Sequence, residues 1–261
     1  MNFSTKNVFV AGGTSGINLG IAKAFAQAGA NVAVFSRNPE RVEQAAHTLR
    51  ALGGKCLGLI GDVRAPDTVV AALTQAHEAW GPIDVLVSGA AGNFVAPASA
   101  ISPNGFKSVV DIDLLGSFNV VRSAYPFLRK PGASVINISA PQASVPMPYQ
   151  VHVCAAKAGV DMLTRVLAME WGPEGVRVNS IVPGPIDGTE GMSRLTPTPQ
   201  ARQAAIRGVP LRRFGSIEEI AGVAMMLCSP VCDYVTGIVM PVDGGASLAG
   251  PFLFGAQEDA Q

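Results

Sequence analysis

The sequence predicts an α/β fold: a single domain with a doubly wound, seven-stranded parallel sheet and helices on both faces. Short β-branched apolar runs alternate with longer segments of helical period, which is the pattern of repeated strand–helix–strand units. Seven such runs occur along the chain. No internal repeat, low-complexity linker or shift in composition marks a domain boundary, so we expect one domain over residues 1–261.

The strands are predicted where β-branched residues cluster, at residues 8–11, 32–35, 56–60, 85–87, 134–138, 176–181 and 238–242. The helices are predicted between them, at residues 17–28, 39–52, 65–80, 104–128, 149–171 and 217–228. A tract rich in Pro and Gly, residues 183–199, follows the sixth strand. Because ligands of an open parallel sheet bind beyond the carboxyl ends of its strands, we expect a substrate lid around residues 183–215. An ordinary surface loop is the alternative.

Composition argues against several classes of function. The 19 basic and 19 acidic side chains cancel, and no stretch forms the cationic surface that nucleic acid or anionic lipid requires. We expect no secretory signal and no membrane span. The 4 cysteines and 3 histidines show no metal-binding spacing, and so few cysteines suit reduced thiols in the cytoplasm. Charged residues make up only 15% of the chain, so part of the surface is expected to be buried between subunits.

A glycine-rich turn follows the first predicted strand. Gly12 and Gly16 allow the backbone to approach a pyrophosphate, and the helix that follows offers unpaired N–H groups. Thr14, Ser15 and Ile17 complete the turn. Glycines also occur in turns for steric reasons alone, but here strand, turn and helix come in the order that a dinucleotide site requires. The turn therefore predicts a nucleotide cofactor.

The end of the second strand predicts which nucleotide is bound. A carboxylate at this position would bind the ribose hydroxyls of NAD, whereas this chain has Ser36 and Arg37. A hydroxyl followed by a guanidinium suits the 2′-phosphate of NADP, because Arg binds phosphate through two parallel hydrogen bonds. The sequence therefore predicts NADP(H). An ordinary surface arginine is the alternative.

The order of these motifs resembles the short-chain dehydrogenase/reductase family over almost the whole chain, which implies a Rossmann fold. Besides the turn at residues 12–18, in which Asn18 replaces a third glycine, the resemblance rests on segments at residues 62–63, 91–92, 157, 183–184 and 243–245. It implies a set of cofactor-binding residues beyond the turn and the second strand. These residues are Asp62, Val63, Ala90, Ala91, Gly92, Lys157, Pro183, Gly184, Pro185, Ile186 and Thr189.

The catalytic positions depart from the family pattern. Val153, four residues before Lys157, stands where the family has a tyrosine, and Ala140 stands where it has a serine. Asp113 replaces a helix asparagine. In the alcohol dehydrogenases of the family, the tyrosine transfers a proton to or from the substrate oxygen while the serine holds that oxygen. Neither Val153 nor Ala140 has a group that can do this.

A subset of the family fits these departures, because the sequence resembles the NADPH-dependent 2,4-dienoyl-CoA reductases, most closely the peroxisomal type. The similar segments are residues 90–94, 111–113, 150–152, 156–157, 170–173, 183–186 and 188–191. The resemblance implies that Lys157 anchors the nicotinamide ribose and that Asp113 orients a proton-donating water. The alternatives are an ion pair that only braces two helices, for Asp113, and ribose binding alone, for Lys157.

The same resemblance implies contacts with an acyl-CoA. We expect them from Arg64, Phe94, Ser102, Asn104 and Arg194. His152 is expected to line the pocket from the first turn of its helix, with a packed or hydrogen-bonded histidine as the alternative. For the others, the alternatives are solvated arginines and a packed aromatic ring.

The location of the peroxisomal type does not carry over, because the chain ends Glu258-Asp259-Ala260-Gln261 and has no peroxisomal targeting tripeptide. We therefore expect a cytoplasmic protein. The helices predicted at residues 104–128 and 149–171 are rich in Ala, Val, Leu and Met, and family members usually pair these two helices. The resemblance thus implies a homodimer or a homotetramer.

Chemistry explains how such a reductase works without the tyrosine. Hydride delivered to a ketone makes an alkoxide, which needs a proton as it forms. Hydride delivered to the distal end of a dienoyl thioester gives a less basic extended enolate, which hydrogen-bond donors hold until water protonates carbon. We therefore expect an NADPH-dependent reductase of conjugated enoyl thioesters in fatty acid β-oxidation. The alternatives are a ketone, alcohol or 3-ketoacyl thioester oxidoreductase with an atypical site, and a catalytically inactive nucleotide-binding protein.

Overall fold

Seven parallel strands form the centre of the computed structural model, which describes residues 1–249. They are β1 (Asn7–Ala11), β2 (Asn31–Ser36), β3 (Cys56–Ile60), β4 (Val85–Ser88), β5 (Ser134–Ile138), β6 (Arg177–Pro183) and β7 (Val239–Val242). Their order across the sheet is β3-β2-β1-β4-β5-β6-β7. The order reverses between β1 and β4, so the carboxyl ends of these two strands flank the crevice where such sheets bind ligands.

Helices cover both faces of the sheet. They are α1 (Gly16–Gln27), α2 (Pro39–Arg50), α3 (Pro66–Trp80), α4 (Pro103–Val110), α5 (Gly116–Ala124), α6 (Val151–Trp171), α7 (Glu190–Leu195), α8 (Pro199–Gly208) and α9 (Ile217–Leu227). One apolar cluster packs α1, α2 and α9 against one face, and a second packs α3, α5 and α6 against the other. The predicted fold class is confirmed.

Alternate side chains of β1 belong to opposite apolar clusters. Val8 and Val10 belong to the first cluster, whereas Phe9 and Ala11 belong to the second, and all four are buried. On the first face, α1 and α9 touch so closely that a Cβ at Gly20 would lie 1.9 Å from Cγ2 of Ile217. Only glycine fits at that crossing.

The structure corrects the predicted bounds of the two long helices. The helix predicted over residues 149–171 begins at Val151, because Tyr149 has a φ of 68° and lies in the left-handed region. The helix predicted over residues 104–128 is divided into α4, a π-helical turn (Asp111–Leu115) and α5. The π-helical turn carries Asp113.

The tract predicted as a lid contains two helices that the sequence analysis did not predict. The side chains of Thr189 and Thr198 cap α7 and α8 by accepting backbone N–H bonds. Both helices pack on a small separate apolar cluster of Met192, Ala205 and Phe214. Because that cluster joins residues distant in sequence, local periodicity did not reveal it.

The structure gives limited information on two further expectations, the absence of a membrane span and the location in the cell. Within residues 1–249, no helix has the length and hydropathy needed to cross a membrane. The C-terminal tetrapeptide, residues 258–261, on which the expected location rests, lies outside the described residues.

A buried carboxylate joins three segments at the amino ends of the central strands. Asp84 is 2% exposed and accepts hydrogen bonds from the Asn7 backbone N–H at 2.9 Å, Lys6 Nζ at 3.0 Å and Arg129 Nε at 2.6 Å. It therefore ties the start of β1 to the segment before β5.

We expect Asp84→Ala to lower the free energy of unfolding by about 3 kcal/mol, because it leaves a buried N–H and two cations without their partner. Urea denaturation measures the change. Glu43→Ala removes the carboxylate of the exposed Arg50–Glu43 pair and should cost less than about 1 kcal/mol. Equal losses in the two variants would show that the Asp84 contacts add nothing.

Candidate active site

The glycine-rich turn forms a cradle at the carboxyl end of β1. Gly12 has a φ of +76°, and a Cβ there would lie 2.8 Å from the backbone nitrogen of Ala90. Gly16, with a φ of +52°, begins α1, whose first N–H groups have no acceptor within the helix. Ser15 takes the N-cap position without a side-chain cap, so these N–H groups stay free to bind an anion.

A polar groove of about 510 Å³ extends from this cradle. It brings together most of the predicted cofactor residues near β1, β2 and β4. Its walls include Gly12, Thr14, Ser15, Ser36, Arg37, Asp62, Val63, Ala90, Ala91 and Gly92. Asn18 and Arg41 are among the further wall residues that the sequence analysis did not assign to the cofactor.

Two arginines give the far end of the groove its charge. Arg37 follows β2, and Arg41 lies in the first turn of α2, where Asn38 caps its backbone N–H at 2.9 Å. Both side chains are exposed, and neither forms an ion pair with another described residue. Arg41 could have been predicted from its short distance to Arg37 in the sequence, because α2 begins directly after β2 and its first turn lies beside Arg37 in the groove wall.

Asp62 and Arg64 form their own pair on the groove wall. Arg64 donates to both carboxylate oxygens of Asp62, with Nη2 2.5 Å from Oδ2. This hydrogen bonding, against the opposing effect of burial, lowers the pKa of Asp62. The predicted substrate arginine is therefore held next to a predicted cofactor carboxylate.

A second, mainly apolar cavity of about 340 Å³ opens beside the groove and shares Gly89, Ala91, Gly92 and Asn93 with it. Val153 and Ala140, at the positions of the missing tyrosine and serine, both line it. The remaining walls come from α1, the π-helical turn, the segments that follow β5 and β6, α6 and α7. They include Ile17, Asp113, Ile138, Ser139, Gln142, Met147, Lys157, Pro183, Gly184, Pro185, Ile186, Thr189, Met192 and Leu195.

Asp113 and Lys157 form a buried pair in the wall of this cavity. Asp113, from the π-helical turn, is 1% exposed, and Lys157, from the second turn of α6, is 4% exposed. Lys157 Nζ lies 3.5 Å from Asp113 Oδ2 and donates to the carbonyl of Ile138 at 3.0 Å. The N–H of Gly92 donates to Asp113 Oδ1 at 2.7 Å. Backbone groups after β4 and at the end of β5 therefore fix both partners.

The predicted acyl-CoA residues do not form one group. Phe94 is 39% exposed in the loop after β4, Ser102 caps α4 through a bond from the Gly105 N–H at 3.0 Å, and Asn104 is exposed. Arg194, on α7, lines the polar groove and pairs with Glu190 on the same helix.

His152 lies behind the cavity rather than on its wall. Its ring is fully buried, and its centroid lies 4.3 Å from that of Phe94. Burial lowers the pKa of His152, while the Phe94 backbone and the Asp113 carboxylate act in the opposite direction. Neither ring nitrogen completes a hydrogen bond with the residues described.

A cluster of three amides also borders the cavity, and the sequence analysis assigned it no role. The Oε1 atom of buried Gln150 accepts from Asn93 Nδ2 and from Gln142 Nε2, each at 3.0 Å. Asn93 and Gln142 line the cavity. Because the three residues come from separate loops, no spacing in the sequence reveals this cluster.

The described residues were also compared for clusters of metal-ligating side chains. No group of three or more His, Cys, Asp or Glu side chains converges there in a way that could hold an ion. The polar groups of the site are instead the cradle, the two arginines, the Asp113–Lys157 pair and the amides. This set suits a dinucleotide next to an apolar substrate.

Comparison with known proteins places the chain in a family. The model of the family described as "Enoyl-(Acyl carrier protein) reductase" matches residues 11–247. The peroxisomal 2,4-dienoyl-CoA reductase [(3E)-enoyl-CoA-producing] of Pongo abelii is 47% identical over 248 residues, covering 94% of this chain and 85% of that protein. The probable 2,4-dienoyl-CoA reductase [(2E)-enoyl-CoA-producing] of Bacillus subtilis (strain 168) is 37% identical over 252 residues, covering 95% and 99%.

The solved structures agree with these relatives. A crystal structure of a short chain dehydrogenase from Bacillus anthracis superposes with a TM-score of 0.83 at 38% identity, covering 93% of this chain and 97% of that one. The fold matches what the motifs predicted. The chain therefore belongs to the short-chain dehydrogenase/reductase family.

Proposed function

We propose that this chain is an NADPH-dependent 2,4-dienoyl-CoA reductase acting on unsaturated fatty acyl-CoA. The observation that carries the proposal is a cavity with a buried Asp113–Lys157 pair and with Val153 and Ala140 at the positions of the usual proton-handling groups. Such a site can stabilise a delocalised enolate but has no hydroxyl at those positions to protonate an alkoxide. A curated relative with this named activity is 47% identical to the chain.

Members of this family use a nicotinamide cofactor, and the groove fits one. Gly12 lets the turn pack against the backbone of Ala90, where a Cβ would lie only 2.8 Å from its nitrogen, and a pyrophosphate would bind at the N–H groups that begin α1. We assign NADP(H) over NAD(H), because Ser36, Arg37 and Arg41 offer a hydroxyl and two guanidinium groups to a 2′-phosphate. When bound, the cofactor supplies a hydride to the substrate.

The buried Asp113–Lys157 pair would stabilise the negative charge that develops on the substrate during the reaction. Lys157 would anchor the nicotinamide ribose and place a positive charge beside the cavity, where low polarity strengthens its effect. Asp113, fixed by the N–H of Gly92, holds that ammonium in place and would orient the water that protonates carbon. Negative charge on the thioester oxygen is thereby offset without a resident tyrosine.

The apolar walls suit the acyl chain. Met147, Met192 and Leu195 line the cavity together with Val153, and α7 supplies two of these four side chains. We therefore propose that residues 183–215 act as the substrate lid. Arg64 and Arg194 would meet the phosphates of coenzyme A after leaving Asp62 and Glu190, and Phe94, Ser102 and Asn104 would border its path.

The assembly is proposed from one exposed apolar stripe. Met162, Val166 and Met169 project from one side of α6 and are 56%, 42% and 80% exposed. Leu115, at the end of the π-helical turn, and Phe118, in the first turn of α5, are 44% and 40% exposed. A homodimer or homotetramer that pairs these helices would cover this stripe. A cytoplasmic location stays a prediction, and the relative from Pongo abelii has a peroxisomal name.

The activity is tested by mixing the protein with NADPH and 2,4-hexadienoyl-CoA and following NADPH absorbance. We expect turnover of the dienoyl thioester, and we expect Lys157→Met to reduce kcat/KM by about 100-fold or more because the positive charge is lost. Lys55→Met, at an exposed lysine before β3, is the control and should act like the parent protein. Faster turnover of a 3-ketoacyl thioester, or tight NADPH binding with no turnover of either substrate, would contradict the proposal.

Cofactor choice is tested by Arg37→Ala. We expect NADPH to bind about 10- to 100-fold more weakly, because a charged hydrogen bond to phosphate is lost, and NADH binding to stay unchanged. Titration of cofactor fluorescence measures both affinities. Arg50→Ala, at the far end of α2, is the control. An equal loss for both cofactors would argue against a 2′-phosphate site.

The assembly is tested by sedimentation. We expect the mass of a dimer or tetramer, and we expect Met169→Glu to shift it towards the monomer by placing a charge in the apolar contact. Glu170→Gln, at the adjacent position, is the control. A monomeric parent protein would contradict the proposed assembly.

A further inference from the structure

Asn18 is a feature of the glycine-rich turn that the proposed function leaves without a role. It lies in the first turn of α1, at the position of the family's third glycine, and is 9% exposed. Its Nδ2 donates a hydrogen bond to the carbonyl oxygen of Gly89 at 2.7 Å. Because Gly89 directly follows β4, this bond links the start of α1 to the loop after β4.

The side chain of Asn18 also fills the space that a side chain at position 89 would need. A Cβ at Gly89 would lie 2.3 Å from Asn18 Oδ1 and 2.5 Å from Asn18 Nδ2, which is far too close for unbonded atoms. The backbone itself does not require glycine, because the φ of Gly89 lies outside the left-handed region. Gly89 is therefore needed because Asn18 occupies its side-chain space, and the two positions form one unit.

This contact lies where the polar groove meets the apolar cavity. Asn18 lines the groove, its neighbour Ile17 lines the cavity, and Gly89 lines both. A dinucleotide whose pyrophosphate binds at the N–H groups of α1 must cross this boundary to bring its nicotinamide ring to the cavity. The next residue of the loop, Ala90, lies close to Gly12 of the turn. The turn after β1 and the helix α1 thus both hold the loop after β4.

The same loop carries the N–H that fixes the buried carboxylate of the site. Gly92, farther along the loop than Gly89, donates to Asp113 Oδ1 at 2.7 Å. A shift of the loop at Gly89 would therefore move both the boundary that the cofactor crosses and a group that orients the Asp113–Lys157 pair. Such a shift should change the reaction step more than the binding of the cofactor's far end.

We propose that Asn18 is a positioning residue for hydride transfer. By holding the Gly89 carbonyl, it fixes the distance between α1 and the loop after β4, and this distance sets how far the nicotinamide ring reaches into the cavity. Hydride transfer is sensitive to this placement, because the reacting atoms must approach to about 3 to 3.5 Å. The inference rests on the proposed function and adds the residue that aligns its two binding compartments.

Placing the family's glycine at this position with Asn18→Gly tests the role. We expect the rate of hydride transfer to 2,4-hexadienoyl-CoA, measured in a single turnover at saturating NADPH, to fall about 10-fold through loss of one hydrogen bond. The affinity for adenosine 2′,5′-bisphosphate should stay unchanged, because this fragment reaches only the Ser36–Arg37 end of the groove. Asn18→Ala removes the same amide with a better helix former and should give the same result, even if Asn18→Gly does not fold.

A double-mutant cycle tests whether the two positions form one unit. Gly89→Ala alone should slow hydride transfer more than Asn18→Gly does, because its methyl group collides with the Asn18 amide. In the double variant Asn18→Gly/Gly89→Ala, the vacated space accepts the methyl group, so the rate should be no lower than in Asn18→Gly alone. A Gly89→Ala substitution that slows the reaction by the same factor with and without Asn18 would overturn the proposed unit.

Asn7→Ala is the matched control for a general loss of stability. Asn7 is buried at the start of β1, and its Nδ2 donates to the carbonyls of Trp80 and Pro82 at the opposite edge of the sheet. Its removal should lower the melting temperature but leave the single-turnover rate of the folded protein unchanged. If Asn7→Ala slowed hydride transfer as much as Asn18→Gly, the positioning role would be wrong.

The outcomes distinguish this inference from the proposed function. A parent protein that does not reduce the dienoyl thioester would overturn both. A parent protein that does so, together with Asn18 variants that keep its single-turnover rate, would overturn the role of Asn18 alone. The same conclusion would follow if the Asn18 variants lost affinity for the bisphosphate by as large a factor as they lost rate.

Discussion

The buried pair of Asp113 and Lys157 is the interaction on which the site depends. Two charges that are almost fully buried lose much of their hydration, and their mutual attraction offsets this cost only when further hydrogen bonds satisfy them. Here the N–H of Gly92 and the carbonyl of Ile138 complete the pair. Because these groups follow β4 and end β5, the parallel sheet places them at the same edge. The pair therefore forms only where the sheet, the π-helical turn and α6 meet.

The polar groove and the apolar cavity meet at this same edge of the sheet. The reversal of strand order between β1 and β4 opens a crevice, and the loop after β4 separates a polar groove from an apolar cavity. Gly12 lets the backbone of β1 approach that loop closely. Under the proposed function, a dinucleotide in the groove and an apolar substrate in the cavity would share one wall. Val153 and Ala140, which stand at the positions of the usual tyrosine and serine, line the cavity without disturbing this arrangement.

Much of this was predictable from residues close together in sequence. The alternation of strands and helices, the glycine-rich turn and the Ser36–Arg37 pair are local signals, and the structure has all three at the expected places in the fold. The features that the sequence analysis did not predict depend on contacts between segments that are distant in the sequence. The short helices α7 and α8 are supported by Met192, Ala205 and Phe214, and Gln150 joins amides from two other loops.

The central claim is that the chain directs hydride to the far end of a conjugated thioester and protonates the resulting enolate at carbon. Isotope labelling tests it most directly. In one reaction, NADPH that carries deuterium at the transferred position reduces the dienoyl thioester in ordinary water; in the other, unlabelled NADPH reduces it in heavy water. NMR then locates the deuterium in each thioester product. The account predicts cofactor deuterium only at the δ-carbon and solvent deuterium at the α-carbon of a 3-enoyl thioester. Cofactor deuterium on a carbonyl carbon or on the β-carbon would contradict it.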